Sequence, residues 1–132
     1  MPVHVETLTT ASPQDRLDLA KIYADAPDWL LSPHADAEQL IAAGLESGTL
    51  IAGRFNDRLL GAALLARNDD CWRLSHLCVR RITRGRGVGR RLLDEARRLA
   101  EAAGKPLHLA APADQLESQA LAARTQLPLD TL

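Results

Sequence analysis

The stretch from Cys78 to Arg90 is a short, basic, glycine-rich turn between a predicted strand and a predicted helix, and it constrains the fold more than any other part of the chain. Before it, residues 72–79 are rich in β-branched, aromatic and long apolar side chains, which favours a strand. After it, apolar residues recur at helical spacing from Val88 to Ala103, and Gly104 supplies a stop signal. Such a turn presents backbone N–H groups at a helix N-terminus, where the helix dipole favours an anion. The sequence therefore predicts an α/β fold with a phosphate-binding turn at the end of a strand.

The spacing of the glycines separates this turn from other phosphate-binding loops. Gly85, Gly87 and Gly89 do not fit the G-x-G-x-x-G pattern of dinucleotide-binding domains, and no Gly-Lys-Ser/Thr of a Walker loop follows. Arg84, Gly87 and Gly89 do fit R-x-x-G-x-G, which resembles the acetyl-CoA signature Q/R-x-x-G-x-G/A of the GNAT acyltransferase superfamily. The alternative is a solvated arginine-rich turn. We favour a ligand site, because glycines weaken a helix start unless close backbone approach is needed.

Composition excludes several classes of function. The 132 residues suit one domain over residues 1–132, and the net charge of −1 with 3% aromatic residues argues against a nucleic-acid partner. The apolar runs are too short to cross a bilayer, so we expect no membrane association. Cys71 and Cys78 are too far apart in one predicted strand to pair, and they lack the Cys/His company of a zinc site. We therefore expect reduced thiols, no metal and a cytoplasmic location.

The predicted elements follow the order β-α-α-β-β-β-α-β-α, which is the order of the GNAT fold. A helix begins at Pro13 with Ser12 as its N-cap, and Asn56-Asp57 join two strands as a tight hairpin. A change of phase in the third strand of this meander predicts a bulge near His76 and Leu77. The expected ranges are strands at 3–8, 49–55, 58–67, 71–79 and 107–111 and helices at 35–45, 88–103 and 113–124. The first helix has its apolar side from Leu17 to Tyr23, and the chain breaks at 26–28.

The connections between these elements predict a mixed central sheet with flanking helices. The strand at 107–111 should lie parallel to 71–79 by the right-handed crossover rule. Residues 125–132 leave room for one short strand at most, so the closing strands of a GNAT fold should be truncated.

Three segments together resemble one branch of the GNAT superfamily, the PanM (also called PanZ) family. They are residues 12–22 (SPQDRLDLAKI), 54–60 (RFNDRLL) and 79–89 (VRRITRGRGVG). The Q-D-R-x-D-L and R-F-N-x-R-L-L pieces are not general GNAT features, and they make the match specific. The resemblance covers residues 1–100 and fades after Ala111.

Membership of this family implies a CoA-binding regulator. Such proteins bind acetyl-CoA or CoA and promote self-cleavage of the pro-form of aspartate 1-decarboxylase, which couples pantothenate synthesis to CoA supply. The resemblance implies partner contacts at Arg54, Asn56 and Arg58, where asparagine at a protruding turn offers both a donor and an acceptor. Ordinary turn chemistry is the alternative for Asn56. Implied cofactor contacts are Leu77, Cys78, Val79, Thr83, Arg84, Gly85, Arg86, Gly87, Val88, Gly89 and Arg90.

Direct acetyl transfer to a small-molecule or protein amine is the alternative function, and it needs a base for the amine and an acid for the thiolate. Many GNAT enzymes place a tyrosine on the last helix, but the sole tyrosine here, Tyr23, lies in the first helix. His76 is a weak candidate for the base, and Cys78 has no evident activating base. We therefore expect little or no transferase activity.

Overall fold

The computed structural model describes residues 2–132 and consists of one mixed sheet with helices on both faces. Its six strands lie in the order β1-β2-β3-β4-β5-β6. Strands β1 to β4 are antiparallel neighbours, whereas β4, β5 and β6 run parallel to one another. The elements are β1 His4–Thr7, α1 Pro13–Ala24, α2 Asp28–Leu31, α3 Ala37–Ser47, β2 Leu50–Phe55, β3 Arg58–Arg67, β4 Trp72–Val79, a 3-10 turn Arg81–Thr83, α4 Val88–Ala102, β5 Leu107–Ala111, α5 Leu116–Thr125 and β6 Leu129–Thr131.

The strands are apolar on both faces because each face of the sheet has its own helical cover. Successive residues of β2 and β3 alternate between the two cores. One core packs α4 against the sheet, and its buried members include Ile51, Leu65 and Leu92. The other packs α1 and α3 against the opposite face, around Leu19 and Leu40. The turn that precedes α4 is thus attached to a helix held along one whole face of the sheet.

Most predicted elements are confirmed, and their ends follow from local chemistry. The Ser12 hydroxyl accepts a hydrogen bond from the Asp15 N–H at 3.0 Å, as an N-cap does. Helix α3 begins two residues later than predicted, because Asp36 is its N-cap and accepts from the Gln39 N–H. Helix α5 begins at Leu116 because Asp114 takes a left-handed φ of 66°.

Two elements extend the predicted order. The short helix α2 lies in the segment that the prolines were expected to break, and β6 supplies the one short strand for which the C-terminal segment has room. Arg73 Nε and His108 Nδ1 both contact the same carboxylate oxygen of Asp130, at 2.8 and 2.9 Å, and so hold β6 beside β5. The single strand β6 therefore covers the edge of β5 from Leu109 to Ala111.

The predicted bulge is confirmed at His76. Ala62 pairs with Cys78 and Leu64 pairs with Ser75, so β4 has one more residue than β3 across this step. His76 takes a φ of 55°, which is uncommon for a residue other than glycine. An extra residue bends a strand and frees backbone groups from the ladder. The bulge lies where β4 parts from its other neighbour, since pairing between β4 and β5 covers only Trp72–Leu74 and Leu107–Leu109.

Gly61 allows the close approach of α4 to the sheet. A Cβ built on Gly61 would lie 2.8 Å from Val88 Cγ1 and 3.2 Å from Leu92 Cδ1. We predict that Gly61→Ala lowers the free energy of unfolding by about 1–3 kcal/mol, because overpacking forces these side chains or α4 to move. Urea unfolding at pH 7 measures this change. Gly48→Ala is the comparison: its added Cβ would meet open space, so any loss there comes from the left-handed φ of 71° and not from overpacking. An unchanged stability for Gly61→Ala would contradict the tight contact.

Candidate functional site

A cleft of about 1440 Å³ opens where β4 and β5 diverge. Its floor includes the ends of both strands, and its walls are the start of α4, the connection between α1 and α2, and α5. The bulge at His76 and the short pairing of β4 with β5 create this opening. A parted pair of parallel strands at the carboxyl end of a sheet is a common ligand site in α/β folds.

The glycine-rich turn lies at the mouth of this cleft. Gly85 and Gly87 have φ values of 79° and 84°, a conformation that favours glycine. Gly87 is the N-cap of α4, and Gly87 O accepts from the Arg91 N–H at 2.9 Å. Among residues 2–132, no side chain caps this helix start, so its first N–H groups have no side-chain acceptor there. A Cβ added at Gly85 or Gly87 would find no heavy atom of these residues within 4 Å. The turn therefore offers an open array of backbone donors.

Arg84 fixes the turn as well as adding charge to it. Its Nε donates to Val79 O at 3.2 Å, and its Nη2 donates to Asp25 O at 3.1 Å. The Arg81 N–H donates to the Asp25 carboxylate at 2.9 Å. The turn is thus tied both to the end of β4 and to the end of α1. Arg84 is one of the predicted cofactor contacts, and in the structure it also makes these intramolecular bonds.

The predicted cofactor residues divide into groups by orientation. Leu77, Val79, Gly89 and Arg90 line the cleft together with Cys78 and Arg84. Val88 and Thr83 are buried, so the Val88 side chain serves the core beneath the turn. Gly85, Arg86 and Gly87 are exposed on the turn itself. The predicted residues therefore lie together around one turn and one strand. At the glycines and at the buried Thr83 and Val88, only the backbone is available to a ligand.

His76 is buried, and both of its ring nitrogens have partners. Nε2 lies 2.8 Å from Ser32 O, and Nδ1 lies 2.7 Å from Ser75 Oγ. A carbonyl oxygen can only accept, so Nε2 carries the proton and Nδ1 accepts from the serine. Burial lowers the pKa of His76 below its ordinary value, and the nearby His34 also lowers it. As a general base, His76 would have to give up its bond to Ser75.

Two other groups that acyl transfer could use are also engaged. The Tyr23 hydroxyl donates to His76 O at 2.8 Å, and burial raises the pKa of this phenol well above its ordinary value. The Cys78 thiol donates to Ile22 O at 3.3 Å, and burial raises its pKa although Arg84 acts in the opposite direction. A thiolate at Cys78 is therefore disfavoured. These contacts hold α1 against β4 beside the cleft.

The hairpin between β2 and β3 forms a second distinctive feature. Asn56 and Asp57 have φ values of 48° and 65°, which fits a two-residue turn that needs φ above zero at both positions. Arg54 contacts Glu6 at 2.8 Å and Asp15 at 3.0 Å. The hairpin prediction is confirmed, and its first arginine is bound by carboxylates of its own chain.

Asp18 binds the other side of the hairpin and is 1% exposed. Its carboxylate accepts from Arg58 Nη2 at 2.7 Å, from the Leu59 N–H at 3.0 Å and from Gln14 at 2.9 Å. Sequence reasoning missed the roles of Asp15 and Asp18. The signal was present, since both lie in the Q-D-R-x-D-L segment and both arginines lie in R-F-N-x-R-L-L.

These ion pairs predict a specific loss of stability in acid. Hydrogen bonding from Arg54 lowers the pKa of Asp15, whereas at Asp18 burial opposes the decrease but Arg58 and the Leu59 N–H outweigh it. A carboxyl group whose pKa is lower in the folded state stabilises the fold at pH values above its pKa in the unfolded state. This stabilisation disappears as the pH falls through its pKa in the folded state. The window therefore lies below about pH 4.

We predict that Asp18→Asn lowers the free energy of unfolding at pH 7 by about 1–3 kcal/mol. Below pH 4, the free energy of unfolding of this variant should change less with pH than that of the wild type. Urea unfolding at pH 7, 4 and 3 measures both quantities. Glu46→Gln, on an exposed carboxyl group, is the control and should follow the wild type. Parallel pH curves for Asp18→Asn and the wild type would contradict the assigned role of Asp18.

One cluster among the described residues has the chemistry of metal ligands: Cys71, His108 and Asp130, with ligand atoms within 4.8 Å of one another. Arg73 and His108 both donate to the same oxygen of Asp130. A guanidinium beside this carboxylate opposes a cation, so the cluster is explained by its role in holding β6. Within residues 2–132, no helix is long and apolar enough to cross a membrane.

Two solved structures with the same fold are an N-acetyltransferase and an N-acetylglutamate synthase. The N-acetyltransferase PaiA from Thermoplasma acidophilum, in complex with coenzyme A, has a TM-score of 0.69 at 14% identity, over 95% of this chain and 89% of that one. N-acetylglutamate synthase from Neisseria gonorrhoeae, complexed with coenzyme A and N-acetyl-glutamate, has a TM-score of 0.67 at 20% identity, over 94% of this chain and 28% of that one. These likenesses confirm the GNAT fold.

A profile described as "Acetyltransferase (GNAT) domain, PanZ" matches residues 2–129. The chain belongs to the PanZ family of GNAT domains. This confirms the resemblance drawn from the Q-D-R-x-D-L, R-F-N-x-R-L-L and R-x-x-G-x-G segments, and the match extends beyond the point where that resemblance faded.

Two curated relatives are similar over most of the chain. The "PanD regulatory factor" of Salmonella typhimurium is 37% identical over 95 residues, which are 72% of this chain and 66% of that protein. The "PanD regulatory factor" of Escherichia coli is 36% identical over 98 residues, which are 74% of this chain and 68% of that protein. The similarity thus spans about two thirds of the length of these relatives.

Proposed function

We propose that this protein binds acetyl-CoA or CoA and, in the bound state, promotes maturation of the pro-form of aspartate 1-decarboxylase. The observation that carries the cofactor part is the unobstructed turn at the mouth of the cleft, where Gly85 and Gly87 hold left-handed backbone and an added Cβ would meet open space. Family membership and the similarity to the PanD regulatory factors of Salmonella typhimurium and Escherichia coli support the partner.

In this proposal, the pyrophosphate binds at the start of α4. The first helical hydrogen bond runs from the Arg91 N–H to Gly87 O, so the N–H groups from Val88 to Arg90 have no acceptor within the helix. The helix dipole favours negative charge there. Arg86 and Arg90 are exposed beside the turn and add positive charge for phosphates. Arg84 contributes through the position of the turn.

The pantetheine arm extends along β4 in the notch that β5 leaves open. From Ser75 to Val79, β4 has no partner on the β5 side in the paired register. An extended arm with amide groups can pair with such an edge as an added strand does. Leu77 and Val79 line the cleft and pack on the α4 side of the sheet. The acyl end of the ligand then lies toward the bulge at His76.

The surroundings of the acyl position favour regulation over catalysis. His76 has both nitrogens engaged, Tyr23 donates to a carbonyl within the core, and Cys78 is held as a thiol. Acyl transfer needs an available base and acid. A direct amine acetyltransferase remains the competing function because the GNAT neighbours include such enzymes.

Calorimetric titration with acetyl-CoA and with CoA tests the cofactor proposal. We expect saturable binding of one ligand per chain. Addition of the uncleaved decarboxylase from the same organism should then give a complex that needs the ligand, followed by cleaved decarboxylase on a denaturing gel. Binding without any effect on the decarboxylase, together with steady CoA release on an amine panel, would establish the transferase instead. Absence of ligand binding would overturn both.

A further inference from the structure

Helix α1 contacts the hairpin through its N-terminal half and the glycine-rich turn through its C-cap. It contains 12 residues, so it spans ~18 Å. Asp15 lies in its first turn, Asp18 lies halfway along it, and Asp25 is its C-cap. Leu19, Ile22 and Tyr23 between them are at most 1% exposed. A helix held this tightly transmits a displacement of one end to the other, because packed interiors deform little.

In its N-terminal half, α1 sets the position of the hairpin. Asp18 accepts from the guanidinium of Arg58 and from the backbone N–H of Leu59, so it fixes both a side chain and the main chain of β3. Asp15 accepts from the guanidinium of Arg54 of β2 at 3.0 and 3.2 Å, so it fixes a side chain of that strand. Both strands that carry the Asn56 turn are therefore bound to one helix by charge-assisted hydrogen bonds, which are stronger than neutral ones.

At its other end, α1 holds the turn that leads into α4. The Asp25 carboxylate accepts from the Arg81 N–H, and the Asp25 carbonyl accepts from Arg84. The Tyr23 hydroxyl reaches His76 O at the bulge. Any ligand that orders the turn or the end of β4 therefore acts on groups already bonded to α1.

We infer that α1 couples the cofactor turn to the Asn56 hairpin, with Asp25 at its C-cap and Asp18 in its N-terminal half as positioning residues. A ligand on the turn limits the motion of Arg81 and Arg84, which are hydrogen-bonded to Asp25. Helix α1 then limits the motion of Asp18 and of the hairpin that Asp18 holds. Arg54 and Arg58 act in this scheme as anchors to α1, which leaves the tip at Asn56 and Asp57 to face a partner. The inference deepens the proposed function and rests on it for the role of the hairpin.

Hydrogen exchange in the isolated protein tests the coupling without any partner. CoA at saturation should slow exchange of the Asn56, Asp57 and Leu59 amides about fivefold, measured by NMR. Asp25→Ala removes the carboxylate acceptor for Arg81 and should abolish this slowing when the variant is compared at a CoA concentration that saturates it. Asp28→Ala, three residues away and exposed, is the matched control and should respond like the wild type.

Asp18→Asn tests the same link from the hairpin side, where CoA cannot make contact. We expect CoA affinity within twofold of the wild type and no slowing of the hairpin amides. If Asp25→Ala cannot be saturated with CoA, the test rests on Asp18→Asn. If Asp18→Asn does not fold, the test rests on Asp25→Ala. Each comparison uses the ratio of rates with and without CoA in one variant, which removes differences in overall stability.

The inference is overturned if CoA leaves the hairpin amides of the wild type unchanged, or if Asp25→Ala and Asp18→Asn keep the full slowing. Those results would leave the proposed function standing wherever the decarboxylase complex still depends on CoA. Conversely, hairpin amides that respond to CoA, combined with a decarboxylase that binds equally with and without it, would support the coupling and reject the proposed function.

Discussion

Gly89→Trp is expected to lower CoA affinity by on the order of 100-fold, which corresponds to about 2.7 kcal/mol. Gly89 lies in the first turn of α4 and lines the cleft. A Cβ there would meet Val79 Cγ2 at 3.5 Å, an ordinary contact, and an indole beyond it would project into the space that a pyrophosphate needs. Isothermal titration with CoA measures the loss.

Gly89→Ala is the matched control for this variant. Alanine fits the contact with Val79 and has a higher helix propensity than glycine, so the free energy of unfolding should not fall. We expect CoA affinity within about threefold of the wild type. Equal affinities for Gly89→Trp and the wild type would show that the ligand does not approach the start of α4.

Asn56→Gly is expected to weaken the decarboxylase complex at least about tenfold and to leave CoA affinity unchanged. The φ of 48° at Asn56 suits glycine, so this change removes the side chain without straining the turn. The lost groups are an amide donor and an amide acceptor at the exposed tip of the hairpin. Surface-immobilised decarboxylase pro-form, titrated with the protein at saturating CoA, measures the complex.

Asp57→Gly supplies the comparison within the same turn. Its φ of 65° also suits glycine, and Asn-Gly is a favoured pair for this turn, so the hairpin should be kept or strengthened. The complex should then stay within about threefold of the wild type. If both glycine variants weaken binding equally, the turn contributes through its shape and not through the Asn56 amide.

Features with local causes were predictable from the sequence. The N-cap at Ser12, the Asn56-Asp57 hairpin and the start of α4 at Val88 each depend on residues within a few positions of one another. The bulge at His76 was predictable because an extra residue in a strand shifts the alternation of side chains between its two faces, and the sequence shows that shift. For the same reason, the glycine turn could be located and its ligand class proposed from thirteen consecutive residues, 78–90.

Features that depend on distant residues could not be derived in this way. The Arg54–Asp15 and Arg58–Asp18 pairs join residues 39 and 40 positions apart, and the resemblance implied only that these arginines contact a partner. Their carboxylates belong to α1 because that helix packs across β3. Arg84 was predicted to contact the cofactor, and its bonds to Val79 O and Asp25 O depend on how the turn folds back over β4.

The sequence by itself determined the order of the main elements and the phosphate-type turn, because both follow from short-range periodicity, capping and glycine placement, and three short segments indicated the family. The tertiary structure alone decided that His76 has no free ring nitrogen, that Gly61 admits α4 to the sheet and that one helix holds both the hairpin and the turn. The physical reason is that hydrogen-bond partners and close packing are selected by proximity in space, which the chain acquires only when the sheet and its helices assemble.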